Sequence, residues 1–582
     1  MVRGPSSTRS QIKRRSAVFS WARLSTARRP RSSRAVATTR SQIGDALSAC
    51  VTCRTLAPAV LARRLYVVYM RPCVTYTLPS SERSTPVNTS SPAGEAPVEV
   101  VNSRFSPTVI TLVLCLGSLC GALMQSLVIP IQSELPQLLG TSAANTSWAI
   151  TATLLAAAIA MPVTGRLADM YGKKKIMVAS AAILVLGSVV AALSSTIAPF
   201  LVGRALQGIA MGYIPVAISM VRETAAPEKR AGAVAAVSAT LGVGGALGLP
   251  LSAWIAENYS WHALFWVSSA IAAVVLVLTA VVVPNVHDAH PAHIDVVGII
   301  GLAVGLSSFL IGVSKGSTWG WSDGKTLSAI VGGIVVLLAW GWYELRHHDP
   351  LVDLRTTSRR PVLFTNLAAL LIGFGMMAQA IVVPQLLQMP TATGYGLGQT
   401  ILEAGLWMAP GGLMMLLFAP VSAKMMTTIG ARITLSVGAL VTGCGYIVAV
   451  FLMDAPWQLM LASIVASAGV GIGYAAMPTL IMDNVPVEEA GSSVGLNGLM
   501  RSVGTTVAGA VMAAILTSKT MELTPGVTIP DHDAFKICFF VGACAAIGGA
   551  LIALLVPRQR LRALAREAAA TSAADRRWPA SA

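Results

Sequence analysis

The sequence predicts an all-α protein that crosses a membrane fourteen times. Three observations predict this: an apolar composition, a recurring apolar segment of near-constant length, and basic residues confined to alternate connections. Of 582 residues, 54% are hydrophobic and 12% charged, with a mean hydropathy of +0.68. Soluble domains do not carry repeated apolar runs of about 20 residues, the length a helix needs to cross roughly 30 Å of hydrocarbon. The net charge of +17 would suggest a nucleic-acid partner in a soluble protein, but it is not spread through the chain. Residues 1–80 hold fifteen Lys and Arg against one acid, Asp45, so the remainder is nearly neutral and no nucleic-acid partner is expected.

The first element, residues 1–104, is a basic extension without hydrophobic period and is expected to lack a core. Its Arg- and Ser-rich runs, such as Thr8 to Arg15 and Ala27 to Arg34, fit a polybasic arm on anionic lipid, a transit peptide, or a translation start further along, for example at Met70. The last of these suits best the Ala-, Arg-, Val- and Gly-rich body, which reads as a high-GC bacterial protein. A lone Cys50-Val-Thr-Cys53 is a coincidence of spacing rather than a metal site without a second pair.

Fourteen apolar segments follow, at 108–131, 146–164, 176–196, 198–220, 233–256, 262–283, 296–314, 326–343, 361–388, 400–422, 433–453, 457–482, 490–516 and 533–556. An even number places both termini on one side. Alternate connections carry Arg166 and Lys173 to Lys175, then Arg222, Lys229 and Arg230, then Arg346, Arg355, Arg359 and Arg360, then Lys424 and Arg432, and last Arg558 to Arg566; the opposite ones offer only Lys315, Lys325 and Lys519. Positive loops stay inside, so both termini are expected in the cytoplasm of a multi-pass protein of the cell membrane.

Two stretches recur. Pro162-Val-Thr-Gly-Arg-Leu-Ala-Asp-Met-Tyr-Gly-Lys-Lys174 aligns without gaps to Pro420-Val-Ser-Ala-Lys-Met-Met-Thr-Thr-Ile-Gly-Ala-Arg432, and Pro227 to Gly232 aligns to Pro486 to Gly491 at nearly the same offset. Two duplicated six-helix halves would produce both echoes. The expected organisation is therefore 105–284 for the first half, 285–360 for two extra helices, 361–557 for the second half and 558–582 for a tail.

The stretch Gly165-Arg-Leu-Ala-Asp-Met-Tyr-Gly-Lys-Lys-Lys175 interrupts the apolar runs and predicts a short loop, with Gly165 and Gly172 permitting a tight turn and Asp169 capping span 3. Its pattern G-x-L-x-D-x-x-G-[KR]-[KR] resembles the loop between helices 2 and 3 of the major facilitator superfamily. That resemblance implies a facilitator fold, two six-helix halves here joined by two extra spans. It also implies a latch built from Gly165, Arg166, Asp169, Gly172 and Lys173, in which the acid reaches the start of span 13 around Gly491 to Ser493. Thr427 stands at the Asp position of the second copy, so such a latch is one-sided.

Further strings extend the likeness. Leu201-Val-Gly-Arg-Ala-Leu-Gln-Gly-Ile-Ala-Met-Gly212 places Arg204 inside span 4 and is similar to the family's R-x-x-x-G signature, whose Arg is implicated in proton transfer; the plain alternative is a structural Arg bonded to backbone carbonyls. Gly244, Gly248 and Pro250 in span 5 resemble the antiporter signature G-P-x-x-G-G, with Leu249 at the expected Pro and Ser252-Ala253 at the paired glycines. With fourteen spans, the chain is identified as resembling the fourteen-helix drug:H+ antiporter-2 family over roughly residues 105–560. Unlike that family it has no acid within span 1, where Ala122 to Pro136 contains Gln125 and then Glu134. Glu134, Glu223, Glu257, Glu403 and Asp483, near span ends, remain as candidate proton carriers.

The resemblance implies proton-coupled efflux of drugs or other small amphipathic compounds, with no cofactor beyond the proton gradient, no enzymatic step, lipid contacts and a monomeric transporter. A cavity for lipophilic cations or other drugs should be apolar and sparsely polar, and Gln125, Gln379, Trp407, Met408 and Tyr474 fit, although Met and Trp serve equally as packing. No metal is expected, since Pro291 interrupts the loop carrying His287, His290 and His293. The absence of a G-x-x-x-x-G-K-[ST] string disfavours an ATP-driven pump. A facilitator exporting a lipid or metabolite, or a non-transporting membrane sensor, are the competing readings.

Overall fold

The computed structural model describes residues 104–129, 131–132, 134–286, 293–524 and 527–557. The basic extension with its Cys pair, His287, His290 and the tail lie outside the described residues.

Fourteen helices long and apolar enough to span a membrane make up the described chain. They are α1 (Pro107–Ser126), α2 (Trp148–Tyr171), α3 (Lys173–Ala192), α4 (Ile197–Thr224), α5 (Pro227–Asn258), α6 (His262–Val282) and α7 (Val296–Trp319). The others are α8 (Gly324–Glu344), α9 (Arg360–Gln388), α10 (Ile401–Thr428), α11 (Ala431–Phe451), α12 (Pro456–Met482), α13 (Ala490–Ser518) and α14 (His532–Ala553). The expected all-α architecture holds except for one antiparallel hairpin between α13 and α14. It pairs β1 (Thr520–Thr524) with β2 (Val527–Pro530), with Met521 opposite Ile529. The Tyr395 hydroxyl, from the segment before α10, donates to the Pro530 carbonyl and ties the hairpin down.

One expected loop is absent. The charged stretch 165–175 is helix almost throughout: α2 runs to Tyr171, α3 starts at Lys173, and Gly172 alone, at φ 98°, makes the turn. Hydropathy reports where hydrocarbon contact ends, whereas backbone hydrogen bonding continues as far as the residues tolerate helix, and Arg-Leu-Ala-Asp-Met tolerates it well. Gly430, at φ 87°, makes the matching turn between α10 and α11.

Helix packing carries the duplication into three dimensions. Among the first six helices α1 packs on α5 and α6, α3 on α4 and α6, and α2 on α4; among the last six α9 packs on α13 and α14, α11 on α12 and α14, and α10 on α12. Substituting each helix by its counterpart eight further on converts one set into the other. Two further contacts join the halves, α2 with α13 and α5 with α10, and these too exchange under the same substitution. Small residues allow the close crossings: a Cβ on Gly208 of α4 would collide with the Thr153 carbonyl of α2, and one on Gly438 of α11 would collide with the Gly473 backbone of α12.

The extra pair, α7 and α8, has no counterpart. Leu302, Leu306 and Leu310 of α7 form one cluster with Ala158 of α2 and Leu496 and Leu499 of α13, so this helix bridges both halves. Much of α8 is exposed, including Leu338 at 69% and Trp342 at 60%, as befits a helix facing lipid. Two ties hold α7. At one end the Asp295 side chain accepts from the Gly298 N–H at 2.7 Å and from the Tyr343 hydroxyl of α8 at 3.0 Å. At the other, Lys315, only 7% exposed, donates to Ser147 Oγ at 2.5 Å and lies 4.8 Å above the Trp148 ring, at the start of α2.

Replacing Lys315 with Ala removes both contacts of that second tie. The expected cost is about 1–2 kcal/mol, read as a lower apparent Tm of the purified chain in detergent. An unchanged midpoint would show that α7 is held by apolar packing alone.

Candidate functional site

The two halves meet most intimately where α2 crosses the start of α13. Gly165 on α2 lies so close to α13 that a Cβ would overlap the Gly491 carbonyl, and one on Gly495 would overlap the Met161 carbonyl. Backbones can approach this closely only without side chains between them. Gly165 is thus a crossing glycine within a helix, not the turn glycine expected of it.

The close approach delivers Asp169 to the first turn of α13. Its Oδ1 accepts the Gly491 N–H at 3.1 Å and its Oδ2 the Ser492 N–H at 2.9 Å. The first N–H groups of a helix have no partner within it, and a carboxylate there satisfies them and meets the positive end of the dipole. Asp169 belongs to the last turn of α2 rather than to the start of span 3, and at 4% exposure it meets α13 at Gly491 and Ser492, within the segment to which the resemblance points. This chemistry joins the two halves through residues 322 positions apart in the chain.

The remaining latch candidates divide. Lys173 is buried and forms an ion pair with Glu223 at the end of α4, which removes Glu223 from the set of unpaired acids. Arg166 faces a small crevice shared with Asp295 and Asp349, towards the extra helices. Gly172 provides the positive-φ turn. In the second copy, the Thr427 hydroxyl donates only to the Lys424 carbonyl of its own helix.

Arg204 is fully buried and makes three hydrogen bonds, to the Met124 carbonyl at 3.0 Å, the Ala149 carbonyl at 3.2 Å and Gln207 Oε1 at 2.6 Å. Gln207 in turn donates to Ser188 at 3.0 Å. No acid joins this cluster, so its geometry is that of a structural tie among α1, α2, α3 and α4. Glu134 is exposed beyond the end of α1 and forms no ion pair among the described residues. Glu257 and Asp483 are exposed as well, and Glu403 closes a capping box with Thr400 at the start of α10. Among the described residues the deeply buried acids besides Asp169 are Asp295 and Glu344, at 6% and 2% exposure. One oxygen of each lacks a hydrogen bond, and both oxygens stand where a Cβ on Gly298 would be.

Gly244 and Gly248 pack α5 against α1, where Ser126 Oγ donates to the Gly244 carbonyl at 3.4 Å. Pro250 serves a different contact: its ring abuts Gly405 of α10, across the second crossing between the halves.

Two cavities lie along the line between the halves. The larger, about 440 Å³, opens on the face away from the Asp169 contact and is lined by Gln132, Thr146, Leu249, Gln388, Gly405 and Met408 among others. That volume suits a drug-sized molecule. The smaller, about 20 Å³, sits nearer Asp169 between Met161, Ile214 and Leu241 of the first half and Tyr474, Asn497 and Arg501 of the second. Of the expected cavity residues, Met408 lines the first and Tyr474 the second. Gln379 instead donates to Ser467 at 3.2 Å and Trp407 to Gln399 at 2.8 Å, both within the second half. Gln125 is exposed on α1, outside either lining. Arg501 lies mid-span in α13, as Arg204 does in α4, and the second cavity shows it to face the other half.

Residues 114–509 match the Major Facilitator Superfamily. A multidrug resistance protein B homolog of Mycobacterium tuberculosis is 27% identical over 388 residues, covering 65% of this chain and 70% of the relative. The tetracenomycin C resistance and export protein of Streptomyces glaucescens is 25% identical over 450 residues, 75% and 80% of the two chains. Among solved structures, the human organic anion transporter MFSD10 superposes with a TM-score of 0.55 at 15% identity, covering 77% of this chain and all of that one, which shows the shared fold.

Replacing Asp169 with Asn exchanges one accepting oxygen for a donor and removes the charge that meets α13. Loss of a charge-assisted hydrogen bond of about 1.5–3 kcal/mol should raise amide hydrogen exchange at Gly491 and Ser492 by roughly tenfold or more, measured by mass spectrometry on peptides from this segment. Unaltered protection would mean that the glycine crossing holds the halves together without the acid.

Proposed function

Since the chain belongs to the Major Facilitator Superfamily, we propose that it exports small amphipathic compounds from the cell in exchange for protons, by alternating access. The carrying observation is the opposite state of the two ends of the inter-half path. At one end Asp169 joins α2 to α13, while at the other a cavity of about 440 Å³ stands open. A transporter with a single central site must close one end while the other is open, and a contact made of two hydrogen bonds and a buried carboxylate can be exchanged for water when the halves rock.

Direction follows from charge. The end closed by Asp169 carries Arg166, Lys173, Lys174, Lys175, Lys229 and Arg230, the signature of a cytoplasmic surface. In this reading both termini are cytoplasmic, the host bilayer is the cell membrane, and the structure is the outward-facing state. The multidrug and antibiotic-export relatives supply the cargo class, small lipophilic compounds reaching the path from cytoplasm or lipid. One chain contains both halves and the path between them, so a monomer suffices. The proton gradient is the energy source, for the sequence has no phosphate-cradling glycine string that would bind ATP.

Inside-out vesicles from cells expressing the chain should accumulate a lipophilic dye when a proton gradient is imposed, and lose it when the gradient is collapsed. Asp169→Asn should lower the initial rate severalfold by destabilising one of the two alternating states. Accumulation that ignores the gradient would remove proton coupling from the mechanism, and its complete absence would remove export.

A further inference from the structure

Two arginines lie in the middle of spanning helices, and their surroundings differ sharply. Arg204 makes three hydrogen bonds through its Nε and Nη1, as described above. Arg501, halfway along α13, has a single partner, the ring of Tyr474 of α12, with its guanidinium carbon 4.8 Å from the ring centroid. Among the described residues no carboxylate pairs with it, and no carbonyl or hydroxyl accepts a hydrogen bond from it. A guanidinium at membrane depth is costly unless paired, and one aromatic face offsets only part of that cost.

The orientation matters chemically. Tyr474 covers the flat face of the guanidinium, while hydrogen bonds to guanidinium run in its plane, where its N–H donors project. Arg501 lines the small inner cavity, whose other walls include Met161, Ile214, Leu241, Val494 and Asn497; no Asp or Glu lines it. The acids nearest along its own helix, Glu488 and Glu489, stand about 18 Å away at the α13 start. On the packed helices, Asp169 is engaged by the Gly491 and Ser492 amides and Glu223 by Lys173. Among the described residues the inner cavity therefore holds a positive charge without an acid in its mostly apolar lining.

We propose that Arg501 is the anion-recognising group of the transport path, and that the substrates are amphipathic organic anions: an aromatic or alicyclic body bearing a carboxylate, phenolate or sulfonate. The anion meets the guanidinium edge through paired charge-assisted hydrogen bonds, and the apolar body lies against Met161, Ile214 and Leu241. Arg501 and Tyr474 both belong to the second half, so they move as one unit when the first half withdraws and the closed cavity widens. A lipophilic cation would find no counter-charge there and would face Arg501. The assignment rests on the reading of the inter-half path as the transport route.

The test uses three aromatic dyes of similar size: fluorescein as anion, ethidium as cation and Nile red as neutral body. Binding to the full chain in lipid nanodiscs is followed by fluorescence anisotropy for the native protein, Arg501→Ala and Arg501→Lys. The expected result is fluorescein binding that falls about tenfold or more in Arg501→Ala and less in Arg501→Lys, which keeps the charge without the fork. Nile red binding should be equal in all three, showing that the variants keep their fold. Ethidium binding as tight as fluorescein, fluorescein binding indifferent to Arg501→Ala, or no fluorescein binding at all would overturn the assignment. Transport of the same dyes in vesicles reads the export proposal separately: fluorescein that binds through Arg501 but is not moved supports the anion site and refutes export.

Discussion

The structure depends on two helices meeting without side chains between them. Where α2 crosses α13, Gly165, Gly491 and Gly495 bring backbone against backbone, and only at that separation can Asp169 reach the amides of Gly491 and Ser492. The acid is buried, so its charge is tolerable because those N–H donors and the end of the α13 dipole meet it. The meeting of the two halves at this end follows from that crossing, and Arg501 lies further along the same helix, in the lining of the inner cavity.

The duplication makes this crossing one of a pair, and the pair is unequal. The α5 with α10 contact mirrors it in packing, yet Pro250 against Gly405 is an apolar contact without a carboxylate, and Thr427 bonds only within its own helix. An apolar contact has no angular preference and can slide, whereas a carboxylate fixed by two amides is either made or broken. The extra helix α7 rests on both α2 and α13, so any movement that separates them must also repack Leu302, Leu306 and Leu310. This gives the α2 side of the molecule a burden that the α10 side lacks.

Much of the fold was legible in the sequence because membrane burial imposes a crude rule: every spanning segment must be long, apolar and helical. All fourteen spans and the internal repeat were readable on those terms. Helix ends were not, because apolarity and helicity stop at different places, and so Asp169 was assigned to the helix after it rather than the one before. The same limit hid the crossing role of Gly165, since a glycine beside charges looks like a turn until its opposite number at Gly491 is known. Arg204 was legible as a buried charge, but its bonds to carbonyls of Met124 and Ala149 depend on three-dimensional neighbours 80 and 55 residues away. The facing of Asp295 and Glu344 across Gly298 brings together the start of one extra helix and the end of the next. The β1–β2 hairpin is not legible in the sequence, because a short connection between spans carries no membrane signal.

The cap that Asp169 provides also constrains how the polypeptide is made. Its carboxylate is synthesised and inserted with α2, but the amides that receive it leave the ribosome 322 residues later. Through the synthesis of α3 to α12 the acid lacks its two native hydrogen-bond donors, and a carboxylate without them is held by water. The contact that joins α2 to α13 therefore cannot form until α13 itself has been made, after every helix of the first half.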